Sequence, residues 1–237
     1  MGATNGRAFP SRKNCVLADE GFSLPELIVA MFLFGIVMTL VVTLFATFNS
    51  HFTRERSATD STNVASIGMN ETSKVIRAGT IINRDSGSDL PIFVVAGNES
   101  VRLYSYLAAD SLNPAPIMVE LKIDGNRQLV ETRWDATRDG TDQWIFPAAT
   151  PENSTSSRVV ARKLLPPTGS SLPLFTYLRP DGTVIPAPVA STDLGNIGGV
   201  KVTMTVQADE TERAAPVELH NRVGLPNLTS SRLGLEG

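Results

Sequence analysis

The stretch GFSLPELIVAMFLFGIVMTLVVTLFATF, residues 21–48, decides the fold. Residues 27–48 are 22 positions without a charge, and as helix at about 1.5 Å each they cover roughly 33 Å, close to the ~30 Å of a bilayer's hydrocarbon. They read as a membrane-spanning segment. Arg7, Arg12 and Lys13 lie before it, whereas His51, Arg54, Glu55 and Arg56 beyond it leave only a small opposing bias. The excess of cations on the leading side predicts a cytoplasmic N-terminus and an outer C-terminal part. A secretory signal peptide fits poorly, because its apolar run is about 7–15 residues and closes on a small-x-small site. This run is longer and ends Ala46-Thr47-Phe48-Asn49-Ser50. A plain single-pass anchor, by contrast, satisfies the length rule equally well.

The junction separates the two readings. Glu26 abuts the apolar run, and a carboxylate entering hydrocarbon unpaired costs several kcal/mol, so an acid at this edge is a functional candidate. The plainer account seats Glu26 in the interface, where its charge favours the positive end of a helix dipole. Pro25 is tolerated in a first helical turn, where its missing N–H has no acceptor, and it fits a helix beginning at Phe22. Gly35 permits either a close helix approach or ordinary tolerance of Gly in a membrane helix.

Gly21-Phe22-Ser23-Leu24-Pro25-Glu26 resembles the class III signal of the type IV pilin and pseudopilin superfamily. In that signal a polar, cationic leader ends in Gly and is followed by Phe, an acid at the fifth mature position and an apolar run. The resemblance covers about the first fifth of the chain. It implies that prepilin peptidase cuts between Gly21 and Phe22, that the new amino group of Phe22 is N-methylated, and that Glu26 acts in subunit assembly. It further implies other pilins or pseudopilins as partners through the N-terminal helix, together with an inner-membrane assembly platform and the membrane itself. The chemistry is coherent with this. Arg7, Arg12 and Lys13 hold the uncut chain on the cytoplasmic face, since cations resist passage through hydrocarbon. After the cut an α-amino group, of reference pKa about 7.7–8.0, is cationic and able to compensate Glu26 within one helix or between neighbours.

Four segments are expected: a cleaved leader at 1–21, a transmembrane and filament-core helix at 22–48, an amphipathic helix at 49–79, and an extracytoplasmic β-rich domain at 80–237. Advancing 100° per residue from Val64 gathers Ala65, Ile67, Met69, Val75, Ile76 and Ala78 on one arc, with Thr62, Asn63, Ser66, Asn70, Ser73, Lys74 and Arg77 opposite. Gly79 suits the position after the helix, with Lys74 and Arg77 in its last turns. The polar stretch 51–62 leaves continuity of the two helices open; unbroken, residues 23–78 would extend roughly 84 Å.

Beyond the helix, strands are expected at 90–95, 101–107, 117–123, 128–134, 157–164, 174–178, 200–206 and 217–223. Asp124-Gly125-Asn126 is a hairpin signal. Pro- and Gly-rich loops separate the later strands, so the class is α+β, with the long helix packed on antiparallel sheet in the manner of pilins. Cys15 is the single cysteine of the 237 residues and lies in the leader, so the mature chain depends on packing alone.

Other functions find thin support. There is no Gly-x-Ser-x-Gly, His-Glu-x-x-His or phosphate-binding loop, and the two histidines, His51 and His220, read as surface or packing residues. No enzyme and no cofactor is expected. Residues 135–142 resemble a calcium loop, yet Thr137 and Phe146 break the twelve-residue template, and a solvated turn is preferred while loops of other shapes stay open. Removing residues 1–21 takes away three cations and two acids and leaves 18 basic against 22 acidic residues, which disfavours DNA as a partner. Arg158, Arg162 and Lys163 are the nearest approach to a basic patch, without interleaved aromatics. The expected function is thus a minor pilin or pseudopilin of a type IV pilus, type II secretion or competence filament. The alternative is a membrane-anchored extracellular binding domain or enzyme that never assembles.

Overall fold

The computed structural model describes residues 21–84, 89–107, 115–140, 143–169, 172–208 and 214–226. The chain divides into two compact units, Met1–Ser50 and His51–Gly237. One helix, α1 (Leu24–Arg77), belongs to both.

Within the first unit, the described part of α1 touches no other element and exposes its whole apolar surface, Phe45 to 73% and Phe32 to 70%. Water would not tolerate such a surface, so lipid or other apolar chains must cover it. Its hydroxyls are hidden locally. Thr39, Thr43 and Thr47 donate to the carbonyls of Gly35, Thr39 and Thr43 at 2.8–2.9 Å, which satisfies each hydroxyl within its own helix.

The second unit is built on antiparallel sheet. Strands β1 (Phe93–Ala96), β2 (Ser100–Ser105), β3 (Ile117–Ile123), β4 (Leu129–Asp135) and β7 (Ser156–Ala161) form a five-stranded sheet in the order β1-β2-β3-β4-β7. Strands β8 (Phe175–Leu178), β9 (Val184–Ile185), β10 (Gly199–Val206) and β11 (Val217–Gly224) form a second, ordered β11-β10-β8-β9. Two short strands, β5 (Thr137–Arg138) and β6 (Trp144–Ile145), pair with each other. All eight expected strands are present; the three two-residue strands are additions, too short to show periodicity. Val101, Leu103, Val119, Leu121 and Leu129 point from the first sheet into one core with Val200, Val202, Met204 and Val206 of the second and Ala65, Met69, Val75 and Ile76 of α1. The class is α+β.

The buried face of α1 differs from the expected arc. Ser61, Ala65, Gly68, Met69, Thr72, Ser73, Val75 and Ile76 are buried, whereas Ile67 is 61% exposed. Small polar residues, weighted toward solvent by hydropathy, occupy the centre of the contact because it is close. A Cβ on Gly68 would stand 2.7 Å from Ala161 Cβ and 2.9 Å from Met204 Sδ. Ser61 accepts from the Ala208 N–H at 2.9 Å, and Asn221 donates to Ser73 Oγ at 3.1 Å, so polarity is met by hydrogen bonds.

Gly68→Ala should therefore lower stability by about 1–2 kcal/mol, because overpacking against Ala161, which has no flexible end to move, outweighs the ~1 kcal/mol of added helix propensity. Thermal unfolding of the full chain measures this, and Ala161→Gly in the same chain should restore most of the loss.

Gly79 follows the helix as expected but for another reason. Its backbone is not left-handed; a Cβ there would meet Ile92 Cγ2 at 2.8 Å, so glycine serves close approach. The Asp124-Gly125-Asn126 turn joins β3 to β4, with the Asp124 carboxylate accepting from the N–H groups of Asn126 and Gln128. The left-handed residue is Arg127, at φ 55°, not Gly125. Its guanidinium holds the strained turn by donating to Glu99 at 2.8 Å and to the Leu164 carbonyl at 3.1 Å.

Candidate functional site

Gly21, Phe22 and Ser23 precede the first helical turn and are exposed, Phe22 to 82%. The helix starts at Leu24, two residues later than expected. Ser23 accepts the first helical bond, from Leu27 N–H at 3.1 Å. Pro25 thus takes the second helical position, where an N–H would also lack an acceptor. Glu26 takes the third. Ser-x-x-Glu at these positions is the spacing of a capping box. The geometry leaves the 21–22 peptide on non-helical, accessible chain, as a protease requires, and sets Glu26 one turn inside, at the positive end of the helix dipole. Residues 1–20, with Arg7, Arg12, Lys13 and Cys15, lie outside the described residues.

A second cluster was not legible in advance. Glu131 of β4 has a side chain with no exposure and accepts from Arg133 Nε on its own strand and from Arg158 of β7 at 2.8 Å. The same Arg158 nitrogen donates to Glu71 of α1 at 2.7 Å. Two carboxylates and two guanidiniums thereby tie the helix to the sheet edge, 87 residues apart in sequence. The Arg158 hydrogen bond holds the Glu71 carboxyl below its ordinary value of 4.5, and the two carboxylates raise the Arg158 guanidinium. Alternation in β4 placed Glu131 on the core face, but nothing in the sequence told where its partners would stand.

Two of the three cations nearest to a basic patch have partners of their own. Arg158 is occupied by two carboxylates, and Lys163 donates to the Ala208 carbonyl at 2.9 Å. His51 and His220 are both exposed. At the calcium candidate, Thr137-Arg138 and Trp144-Ile145 pair as a hairpin, and the Asp139 carboxylate accepts from Gln143 N–H at 2.9 Å. Thr141 and Asp142 lie outside the described residues, and among the described ones no three His, Cys, Asp or Glu side chains gather as a metal set.

Among the described residues, α1 is long and apolar enough to cross a membrane, and the fold class is α+β. Residues 18–42 match the family described as the Prokaryotic N-terminal methylation motif. That match supports the type IV pilin and pseudopilin superfamily, and with it a pilin-like protein processed by prepilin peptidase and assembled with other pilins in a membrane. No curated protein matches the chain.

Proposed function

We propose that the chain is a minor pilin or pseudopilin, a non-enzymatic structural or priming subunit of a type IV pilus, type II secretion or competence filament. The observation that carries this is the helix end itself. An accessible Gly21-Phe22 peptide, an acid one turn inside and an apolar helix surface that no other described residue covers stand together. On this reading the leader lies in the cytoplasm, the cut falls between Gly21 and Phe22, Phe22 is N-methylated, and the outer domain is carried out of the membrane on the helix. The size of that domain favours a minor over a repeated major subunit.

One observation favours the plain anchor. The capping-box spacing of Ser23 and Glu26 accounts for the acid as a helix stabiliser, with no need of assembly. Processing separates the two. Mass spectrometry of the chain from cells with prepilin peptidase should show a first residue Phe22 carrying one methyl group, and from cells lacking it an intact leader. A functional protein that retains residues 1–20 in peptidase-positive cells would overturn the assignment.

A further inference from the structure

The face of the five-stranded sheet turned away from α1 carries one continuous polar row. Cross-strand register sets Arg102 of β2, Glu120 of β3, Thr132 of β4 and Ser157 of β7 side by side. Lys122 flanks the row on one side and Trp134 on the other. Residues 149–154 arch over it, and the space between is a cleft of about 330 Å³. That volume lies within the ~300–1,000 Å³ of small-molecule sites.

The arch is pinned rather than loose. Trp134 Nε1 donates to the Thr150 carbonyl at 2.9 Å, Thr155 N–H to the Arg133 carbonyl at 2.8 Å, and Asp135 N–H to Thr155 Oγ1 at 3.1 Å. One bond joins the arch itself to β4 and two join Thr155, the residue after it, so the cleft exists before any ligand arrives. Preformed sites avoid the cost of ordering a loop on binding.

Its chemistry selects a ligand class. Arg102 pairs with Glu120 at 2.7 Å, and the guanidinium lies 5.8 Å from the Trp134 ring, so these two charges cancel while both side chains line the cleft. Lys122 is exposed, and among the described residues it forms no ion pair. Among the described residues the cleft thus holds one positive charge, Lys122, without a paired carboxylate. Thr132 and Ser157 hydroxyls, 3.4 Å apart, each donate or accept. Such an alternation of donors and acceptors matches neighbouring hydroxyl groups, which do both. A phosphate dianion would meet the Glu120 carboxylate, and an apolar ligand would strip water from the row without replacing its bonds.

We propose that this cleft binds a monoanionic polyhydroxylated ring, an acidic sugar of the uronic acid class, with its carboxylate on Lys122 and its hydroxyl groups on the Glu120–Thr132–Ser157 row. The site depends on the sheet and its arch alone, so it stands whether or not the subunit enters a filament.

The test uses the full chain in detergent micelles and ligand-observed NMR with sodium glucuronate, with glucose and sodium acetate as controls. At the size of a single sugar a Kd of the order of 1 mM is expected. Glucose, which keeps the hydroxyls but lacks the charge, should bind at least tenfold more weakly, and acetate should not saturate. Lys122→Met should weaken glucuronate at least tenfold with an unchanged unfolding temperature, and Thr132→Val should weaken glucuronate and glucose alike. Absence of saturable glucuronate binding at ten times that Kd, equal binding of glucose, or indifference to Lys122→Met would each overturn the proposal.

Discussion

Glu26→Gln should leave the chain trimmed and methylated at Phe22 yet lower its content in sheared or purified filaments at least tenfold. The substitution is chosen because glutamine also completes a capping box, so the helix start is spared while the charge is lost. The two readings of the acid then differ in sign. If Glu26 only rests at the lipid edge, removing its charge relieves a desolvation cost of the order of 2.5–3.5 kcal/mol at worst and is neutral or favourable for the anchor. If the carboxylate compensates the ammonium of Phe22 in a water-poor filament core, the same change strands a cation, and a loss of about 1.4 kcal/mol per subunit already reduces incorporation tenfold. Quantitative blotting of filament and membrane fractions, with mass spectrometry of the N-terminus as the control for processing, reads the outcome. Equal amounts of wild type and Glu26→Gln in filaments would remove the assembly role and leave the cap.

The same helix end shows why some features were readable from residues alone. Length and spacing are local properties, so the long apolar helix and strands such as β3, which alternates from Val119 to Ile123, stand in the structure where they were expected. Start points depend on which backbone groups find partners, which is why Ser23, and not Gly21, became the residue before the helix. The outer half of α1 shows a different failure. Hydropathy ranked Ile67 inward and Ser73 outward, yet interhelical and helix–sheet distance is set by the smallest side chains. Gly68 and Ala161 meet where the helix lies closest, and the polar residues beside them are accepted because Ala208 and Asn221 satisfy them. The ion network and the sugar cleft were beyond reach for one reason: both assemble residues from separate strands, and pairing register is not visible in any one segment.

Arg158→Ala should destabilise the outer domain by about 3 kcal/mol, which for a domain of this size lowers the unfolding temperature by about 6–12 °C. The reason lies in Glu131, whose side chain has no exposure and would keep only Arg133 as its cation. Removing one partner of a buried ion pair leaves the other charge uncompensated, a cost far above that of an exposed pair. Arg158→Lys should recover only part of the loss. A single ammonium cannot reproduce the Nε and Nη2 donors on Glu131 while also reaching Glu71. By contrast, the double change Glu131→Leu with Arg158→Leu should recover part of the loss, since it removes the uncompensated buried charge while Arg133 and Glu71 still lose a partner. The acid dependence has a defined sign. The folded-state pKa of Glu71 is depressed by Arg158, so the stability this carboxylate contributes is present above its ordinary value of 4.5 and fades as pH falls below it through the folded pKa. Glu71→Gln should therefore be less stable than wild type at pH 7, by a modest amount because the group is one-third exposed, and the difference should vanish in acid. Denaturant unfolding of wild type, Glu71→Gln and Arg158→Ala across pH 3–7 checks all of these together, and a gap between wild type and Glu71→Gln that widens in acid would show that the helix is held to the sheet by something other than this carboxylate.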